Sequence, residues 1–214
     1  RMPVPLFPGF HTTASVEAIR AAGHDHSWFI LDSAIAGKEF ILSGSEQNPE
    51  LTDKSLKKFA SKAGSGLPPS ITDFTEQGVD WVVADTIEEL VDGLNGLLRE
   101  GEPALELEKV REFVLAMDGQ MDNSFAKDAQ VQAIHNARRV LTDKLTRLAK
   151  PHKLLADSGP GKGSAAGSGG PLIGVKVHLM TRKTLGGIQT TLDSQCLTPD
   201  GEPFPGLYAA GEVA

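Results

Sequence analysis

Apolar and polar positions alternate with several different periods along the 214 residues, and each change of period marks an element. Ser27-Trp-Phe-Ile-Leu31 is a run of strand formers bounded by His24-Asp-His26 and Asp32-Ser33, which predicts a short strand. Before it, Thr12 or Thr13 caps an amphipathic helix that runs through Ala22 and ends at Gly23 in a left-handed turn. The opening RMPVPLFPGF carries three prolines and reads as an extended lead-in. Lys38 to Leu42 is too short for its period to choose between helix and strand. Leu56, Phe59 and Ala60 share one helical face opposite Lys54, Lys57 and Lys58, so a helix is expected between Thr52 and Ala63. Pro68-Pro69 opens another helix that Gly78 closes, and Val79 to Ala84 is a strand around Trp81.

Asp85-Thr-Ile-Glu88 looks like a capping box, and Ile87, Leu90, Val91, Leu94, Leu97 and Leu98 form the apolar stripe of the helix it starts. Pro103 suits a first helical turn, which predicts a helix over 103–117. Val131, Ile134, Ala137 and Val140-Leu141 predict a further one over 127–144. Residues 157–170, DSGPGKGSAAGSGG, hold six glycines and three serines in fourteen positions, which reads as a flexible connector, native or engineered. Pro171 to Met180 reads as a strand, Ile188 to Leu192 as another, and Thr198-Pro-Asp-Gly201 as a turn leading to GLYAAGEVA. The fold class is α+β: a mixed body over 1–156, the connector over 157–170 and a β-rich tail over 171–214.

Composition narrows the function classes. Lysine plus arginine is 21 against 28 aspartate plus glutamate, a net charge of −7. That balance argues against nucleic acid or an anionic membrane as partner, because such affinity rests on clustered positive charge. No stretch approaches the roughly 18 unbroken apolar residues of a transmembrane helix. Cys196 is the sole cysteine, so there is neither an internal disulfide nor a CxxC pair, which suits a reducing cytoplasm.

Several groups carry chemistry. Gly161-x-Gly163-x-x-Ala166 has the spacing of a dinucleotide fingerprint, but no strand and helix flank it, so it reads as connector. His24-Asp25-His26 offers two imidazoles and a carboxylate, but no further ligand cluster is apparent in the sequence, so it reads as a polar turn and no metal is expected. His135 and His152 read as partly exposed helix and loop residues, whereas His11, beside Phe10, is a candidate proton donor. Arg182-Lys183 precedes Thr184-Leu-Gly186-Gly187, so an inward cation would sit beside a backbone able to approach something flat. An ordinary hairpin with basic edges fits equally well. Glu212 could accept hydroxyl hydrogen bonds at the tip of a parallel sheet.

Residues 183–213, KTLGGIQTTLDSQCLTPDGEPFPGLYAAGEV, resemble the re-entry segment of flavin-dependent dehydrogenases of the fumarate reductase and ketosteroid dehydrogenase group. HSWFILDSAIAGKEF, ADTIEELVDGLN and FAKDAQVQAIHNARR resemble the cap of that group, especially actinobacterial enzymes known only as FAD-binding dehydrogenases. There a T-x-G-G turn lies against the isoalloxazine and the glutamate of AAGEV meets the ribityl or ribose. The resemblance thus implies that Thr184, Gly186, Gly187, Gly211 and Glu212 are flavin-side positions. It implies an FAD-dependent oxidoreductase that moves a hydride between a substrate C–H and flavin N5. Residues 1–156 would be the cap (substrate) domain, and 171–214 the end of the cap with the return segment of an incomplete α/β FAD-binding domain.

Family members open with a GxGxxG-type FAD domain and continue past AAGEV, so a fragment, inactive alone, is expected. Arg182-Lys183 stands where fumarate reductases carry two histidines, and Thr12 or Thr13 where their proton-donating arginine would be. Ketosteroid dehydrogenases use tyrosine hydroxyls in and around the cap, yet Tyr208 is the only tyrosine here. The substrate is therefore left as a class, ketosteroid-like or a small unsaturated carbonyl or carboxylate. Arg182 and Lys183 become candidate catalytic cations, with Lys183 facing inward, and His11 the candidate proton relay. FAD and a small-molecule substrate are the expected partners, and a catalytically silent binding module is the alternative.

Overall fold

The computed structural model describes residues 12–40, 66–121, 123, 125, 128, 131–132, 141, 149, 152–156, 164–179 and 187–214. They divide into two units, Arg1–His178 and Leu179–Ala214. The first is built on a three-stranded antiparallel sheet in which β3 (Leu172–His178) lies between β1 (His26–Asp32) and β2 (Trp81–Ala84). Gly174 sets the register, facing Ile30 on one side and Val82 on the other. Successive side chains of a strand point to opposite faces. Leu172 accordingly joins a core with Ile87, Leu90, Leu94, Val110 and Val114, and Ile173 and Val175 join a second core with Leu31, Ala36 and Ile71. Helices α4 (Ile87–Gly96) and α5 (Leu107–Met121) supply the first core, and α2 (Ser33–Glu39) and α3 (Pro69–Gln77) the second. The unit is therefore a sheet covered on both faces, and the fold is mixed α+β.

Local chemistry explains most of the boundaries. Helix α1 (Thr12–Ala21) ends as expected, with Gly23 at φ +80 and the His24 N–H bonded to the Ile19 carbonyl at 3.1 Å. Of the undecided run from Lys38, Lys38 and Glu39 end α2, which begins where Oδ1 of Asp32 accepts the Ile35 N–H at 2.9 Å, and Ile41 and Leu42 lie outside the described residues. Helix α3 has proline in its first turn, and the Gly78 N–H closes it on the Phe74 carbonyl at 2.9 Å. The cap of α4 sits one residue later than expected. Thr86 accepts the Glu89 N–H at 3.2 Å, and Glu89 returns to the Asp85 N–H at 3.3 Å. Helix α5 starts at Leu107 rather than at Pro103, because Asn95 clamps both backbone groups of Leu105. Its Oδ1 accepts the Leu105 N–H at 2.7 Å, and its Nδ2 donates to the Leu105 carbonyl at 3.1 Å.

Residues 164–170 depart from the flexible excursion expected of the connector. The Ile87 N–H bonds the Ser164 carbonyl at 2.8 Å, the Ala166 N–H bonds Asp85 at 2.8 Å, and the Ala34 N–H bonds Gly169 at 2.9 Å. The glycines there serve close packing rather than freedom. A Cβ on Gly169 would stand 2.0 Å from Oδ2 of Asp32. The proline-rich lead-in, the helix between Thr52 and Ala63, most of 127–144 with His135, and residues 157–163 lie outside the described residues. No helix among the described residues is long and apolar enough to cross a membrane.

Candidate functional site

The second unit holds the flavin-like motif. Its β4 (Gln195–Leu197) and β5 (Pro203–Tyr208) pair antiparallel through the expected turn, closed by the Gly201 N–H on the Thr198 carbonyl at 2.9 Å. The strand expected over Ile188 to Leu192 is reduced to a bridge between Thr190 and Cys196, because the Thr191 N–H turns onto the Gln195 carbonyl at 2.8 Å. After β5, Ala210 is extended, Gly211 takes φ +79, and Gly211–Val213 closes a 3-10 turn. Gly211 holds a conformation that a side chain would strain.

That turn meets the other glycine of the motif. The Ile188 N–H bonds the Val213 carbonyl at 2.8 Å. A Cβ on Gly187 would stand 2.4 Å from the carbonyl carbon of Ala214 and 2.9 Å from its Cα. Gly187 is thus required by the approach of the chain's own Gly211–Ala214 segment. Of the residues singled out in the sequence, Gly187, Gly211 and the backbone of Glu212 are brought together. Arg182, Lys183, Thr184, Gly186 and His11, and the side chain of Glu212, lie outside the described residues. Glu212 was expected at the tip of a parallel sheet, whereas the strand described before it pairs antiparallel with β4. Ile188, Leu192, Phe204, Leu207, Tyr208 and Val213 leave much of their surface exposed within this unit.

The first unit contains polar groups that sequence patterning missed. Lys176, at 4% exposure, lies on the same face of β3 as Gly174. Its Nζ donates to Oε2 of Glu102 at 2.7 Å and to the Leu97 carbonyl at 3.0 Å, and it sits 5.8 Å from the Trp28 ring centroid. The Lys176 hydrogen bond, helped by the Arg99 N–H, holds the Glu102 carboxyl below its ordinary range. His26, buried on β1, bonds Oδ1 of Asp25 at 2.8 Å, and this lowers the Asp25 carboxyl in turn. Ligand atoms of Asp25, His26 and Glu102 lie within 4.8 Å of one another, so Glu102 supplies the third group the sequence did not show. The Lys176 ammonium already neutralises Glu102, which makes this a salt-bridged anchor for the α4–α5 turn.

His152 is the partly exposed loop residue expected, but it carries a partner that the sequence did not show. Its Nε2 lies 2.5 Å from Oδ2 of Asp32, a carboxylate with no exposed surface. Nearby, buried Asp118 of α5 accepts the Leu154 and Leu155 N–H groups at 2.9 and 3.0 Å. Burial raises its carboxyl above the ordinary range, against the pull of those two N–H groups. Glu88 holds Ser164 at 2.5 Å and also bonds Arg111, and the serine hydroxyl, then the guanidinium, lower its carboxyl. No local spacing announces these pairs, since Asp32 and His152 are 120 positions apart.

Comparison with known proteins adds a family. The FAD binding domain family model matches residues 9–214. A KsdD-like steroid dehydrogenase of Mycolicibacterium smegmatis is 44% identical over 214 residues, covering 100% of this chain and 37% of its own length. KsdD-like steroid dehydrogenases of two strains of Mycobacterium tuberculosis are each 46% identical over 215 residues, covering 100% of this chain and 36% of their own length. The chain therefore spans little more than a third of these relatives. No solved structure matches it significantly.

Proposed function

The chain belongs to the FAD binding domain family, and on that premise we propose that it is one section of an FAD-dependent dehydrogenase. In this reading its C-terminal unit borders the flavin, residues 1–156 form the substrate cap, 157–170 is the connector, and 171–214 holds the end of the cap followed by the return segment of the FAD domain. The supporting observation is the seating of Gly187-Ile188 against Gly211–Ala214, joined by the 2.8 Å bond from the Ile188 N–H to Val213. It draws together the two stretches whose resemblance points to flavin. Neither glycine tolerates a side chain, one for closeness to Ala214 and one for its positive φ.

When bound, FAD supplies the N5 position that takes or gives the hydride. The part of this chain is to orient, charge and shield. Thr184, Gly186, Gly187, Gly211 and Glu212 are the flavin-side residues in this proposal. Arg182 and Lys183 are given different roles in this proposal, because neighbours on a chain that is extended would point to opposite sides. Lys183 faces the substrate and stabilises oxygen charge that develops as the C–H bond breaks. His11 relays the proton. The names of the relatives favour a ketosteroid-like substrate over a small unsaturated carboxylate.

The test belongs in the full-length protein. Lys183→Met should slow flavin reduction by substrate about a hundredfold, or ~3 kcal/mol, with FAD content unchanged. Arg182→Met should do far less. If the arginine change is the damaging one, or neither matters, the assignment of Lys183 fails. A purified full-length protein without visible flavin absorption would sink the flavoprotein reading itself and favour a silent binding module.

A further inference from the structure

We propose that Asn95-Gly96, at the end of α4, is a site of spontaneous deamidation, held in check by the fold, whose product irreversibly loosens the α4–α5 turn. Asparagine is among the chemically labile residues. A glycine after it leaves the next main-chain nitrogen without a neighbouring Cβ to obstruct it. Asn95-Gly96 is the one such pair in the chain. In the reaction the Gly96 nitrogen bonds to Cγ of Asn95, and Nδ2 leaves as ammonia with the proton that Gly96 gives up. Water then opens the resulting cyclic imide at either carbonyl, to aspartate or to isoaspartate.

Nothing in the packing calls for glycine at 96. The residue is exposed and helical, takes no positive φ, and a Cβ there would meet no atom within 4 Å. Other glycines of this unit differ, since a Cβ on Gly93 would stand 2.6 Å from Val82 and one on Gly174 2.7 Å from Leu94. Alanine is the better helix former, so the glycine at 96 weakens α4 without relieving a contact or a turn. What it does supply is an unobstructed amide nitrogen beside the Asn95 carboxamide.

The folded turn guards the pair. Both ends of the carboxamide are engaged ten positions away, Oδ1 by the Leu105 N–H at 2.7 Å and Nδ2 by the Leu105 carbonyl at 3.1 Å. Lys176 closes the other side, donating to the Leu97 carbonyl at 3.0 Å and to Oε2 of Glu102 at 2.7 Å. Attack on Cγ therefore starts from a local opening in which the Asn95 bonds part. The product cannot restore them. An aspartate sets an oxygen against the Leu105 carbonyl, which is left without its donor. It also places a negative charge in the last turn of α4, the end that the helix dipole makes unfavourable for anions. Isoaspartate lengthens the main chain by one carbon at the same point. None of this involves the flavin, so its fate is separate from that of the proposed dehydrogenase.

Ageing the 214-residue chain in mildly alkaline buffer, with and without urea, and mapping its peptides by mass spectrometry with an isoaspartate assay tests the site. Asn95 should convert under both conditions, about tenfold faster or more in urea, where the guarding bonds are gone. Gly96→Ala should suppress conversion in urea while leaving the native chain at least as stable as the parent. Asn95→Asp, which is one of the products, should raise the unfolded-to-folded ratio about tenfold at neutral pH, equivalent to about 1.4 kcal/mol. That deficit relative to the parent should shrink toward about pH 4, where the carboxyl takes up a proton and can again donate to Leu105. Absence of isoaspartate at 95 in urea, or undiminished conversion in Gly96→Ala, would overturn the site. Equal rates with and without urea would overturn the guard. An Asn95→Asp chain as stable as the parent, or a deficit independent of pH, would overturn the loosening.

Discussion

Alanine at position 169 should destabilise the first unit severely. The new Cβ would stand 2.0 Å from Oδ2 of Asp32 and 2.5 Å from Nε2 of His152, inside contact distance of both partners of a 2.5 Å hydrogen bond. Asp32 has little room to yield, because it is wholly buried and its other oxygen caps α2 through the Ile35 N–H. Parting the pair leaves a buried carboxylate without its partner, a class of change that costs about 3–5 kcal/mol. Overpacking adds about 1–3 kcal/mol where side chains must leave their rotamers. The His152 side chain is 14% exposed, so its rehydration offsets part of that sum, and about 3–5 kcal/mol is expected overall. For a chain of this size the melting temperature should fall by roughly 6–20 °C. Ser168→Ala, at an exposed neighbour, is the control and should stay within about 0.5 kcal/mol. Urea unfolding followed by tryptophan fluorescence and far-UV circular dichroism gives both values. A Gly169→Ala chain within about 1 kcal/mol of the parent would mean that 164–170 is not packed, as its composition alone suggests.

Further outcomes follow from other contacts. Asp118→Ala leaves the Leu154 and Leu155 amides without their acceptor and should cost about 2–6 kcal/mol in the same urea assay, at about 1–3 per orphaned group. Because burial raises the Asp118 carboxyl, the native state holds its proton more tightly than the unfolded chain does. Its contribution is greatest below the ordinary 3.8 and is lost as pH rises through the raised value, so Asp118→Asn should flatten that part of the stability–pH curve. Gly187→Ala should push the chain off Ala214, and hydrogen exchange should show the Ile188 amide unprotected; unchanged protection contradicts the contact. Thr86→Ala should lose about 1 kcal/mol as a missing cap, whereas Asp85→Ala should lose less, reversing the order that a box starting at Asp85 requires.

Elements with a local signal were legible before the structure. Gly23, Pro69 with Gly78, and the turn at Gly201 act within a few residues of themselves, so α1, α3 and the β4–β5 hairpin could be placed from sequence. Helix α2 hides because its cap, Asp32, is also the last residue of β1, and its apolar run is short. The delayed start of α5 depends on Asn95, ten positions before Leu105, a pairing that no period reveals. Lys176 stands between two valines of the strand expected over Pro171 to Met180, and its burial emerges only when both neighbouring strands and the α4–α5 turn are in place around it. Glycine and serine content marked 157–170 as loop, but says nothing about whether a loop is packed. At Gly169 the absence of a side chain reflects contact with Asp32. The flavin-like segment was readable because its motif lies in one short stretch. The acid–base pairs at His26 and His152 were not, because each needs a partner that only the folded chain supplies or orients.

The position of β3 at the centre of the sheet has a consequence for how the molecule is made. β1 and β2 flank it and share no ladder with each other, so among the described residues neither has a partner until residues 172–178 arrive. During synthesis both strands leave the ribosome early and wait, with their backbone donors and acceptors open to any passing extended segment. Sheet formation then requires closing loops that separate Ile30 from Gly174 and Val82 from Gly174, which makes the contact order high and the step slow. Helices α4 and α5, joined by near neighbours in sequence, can assemble first and present Leu90 and Leu94 as a surface for the incoming strand. A chain released before residue 172 carries two strands and no sheet, which makes it the form most prone to aggregate.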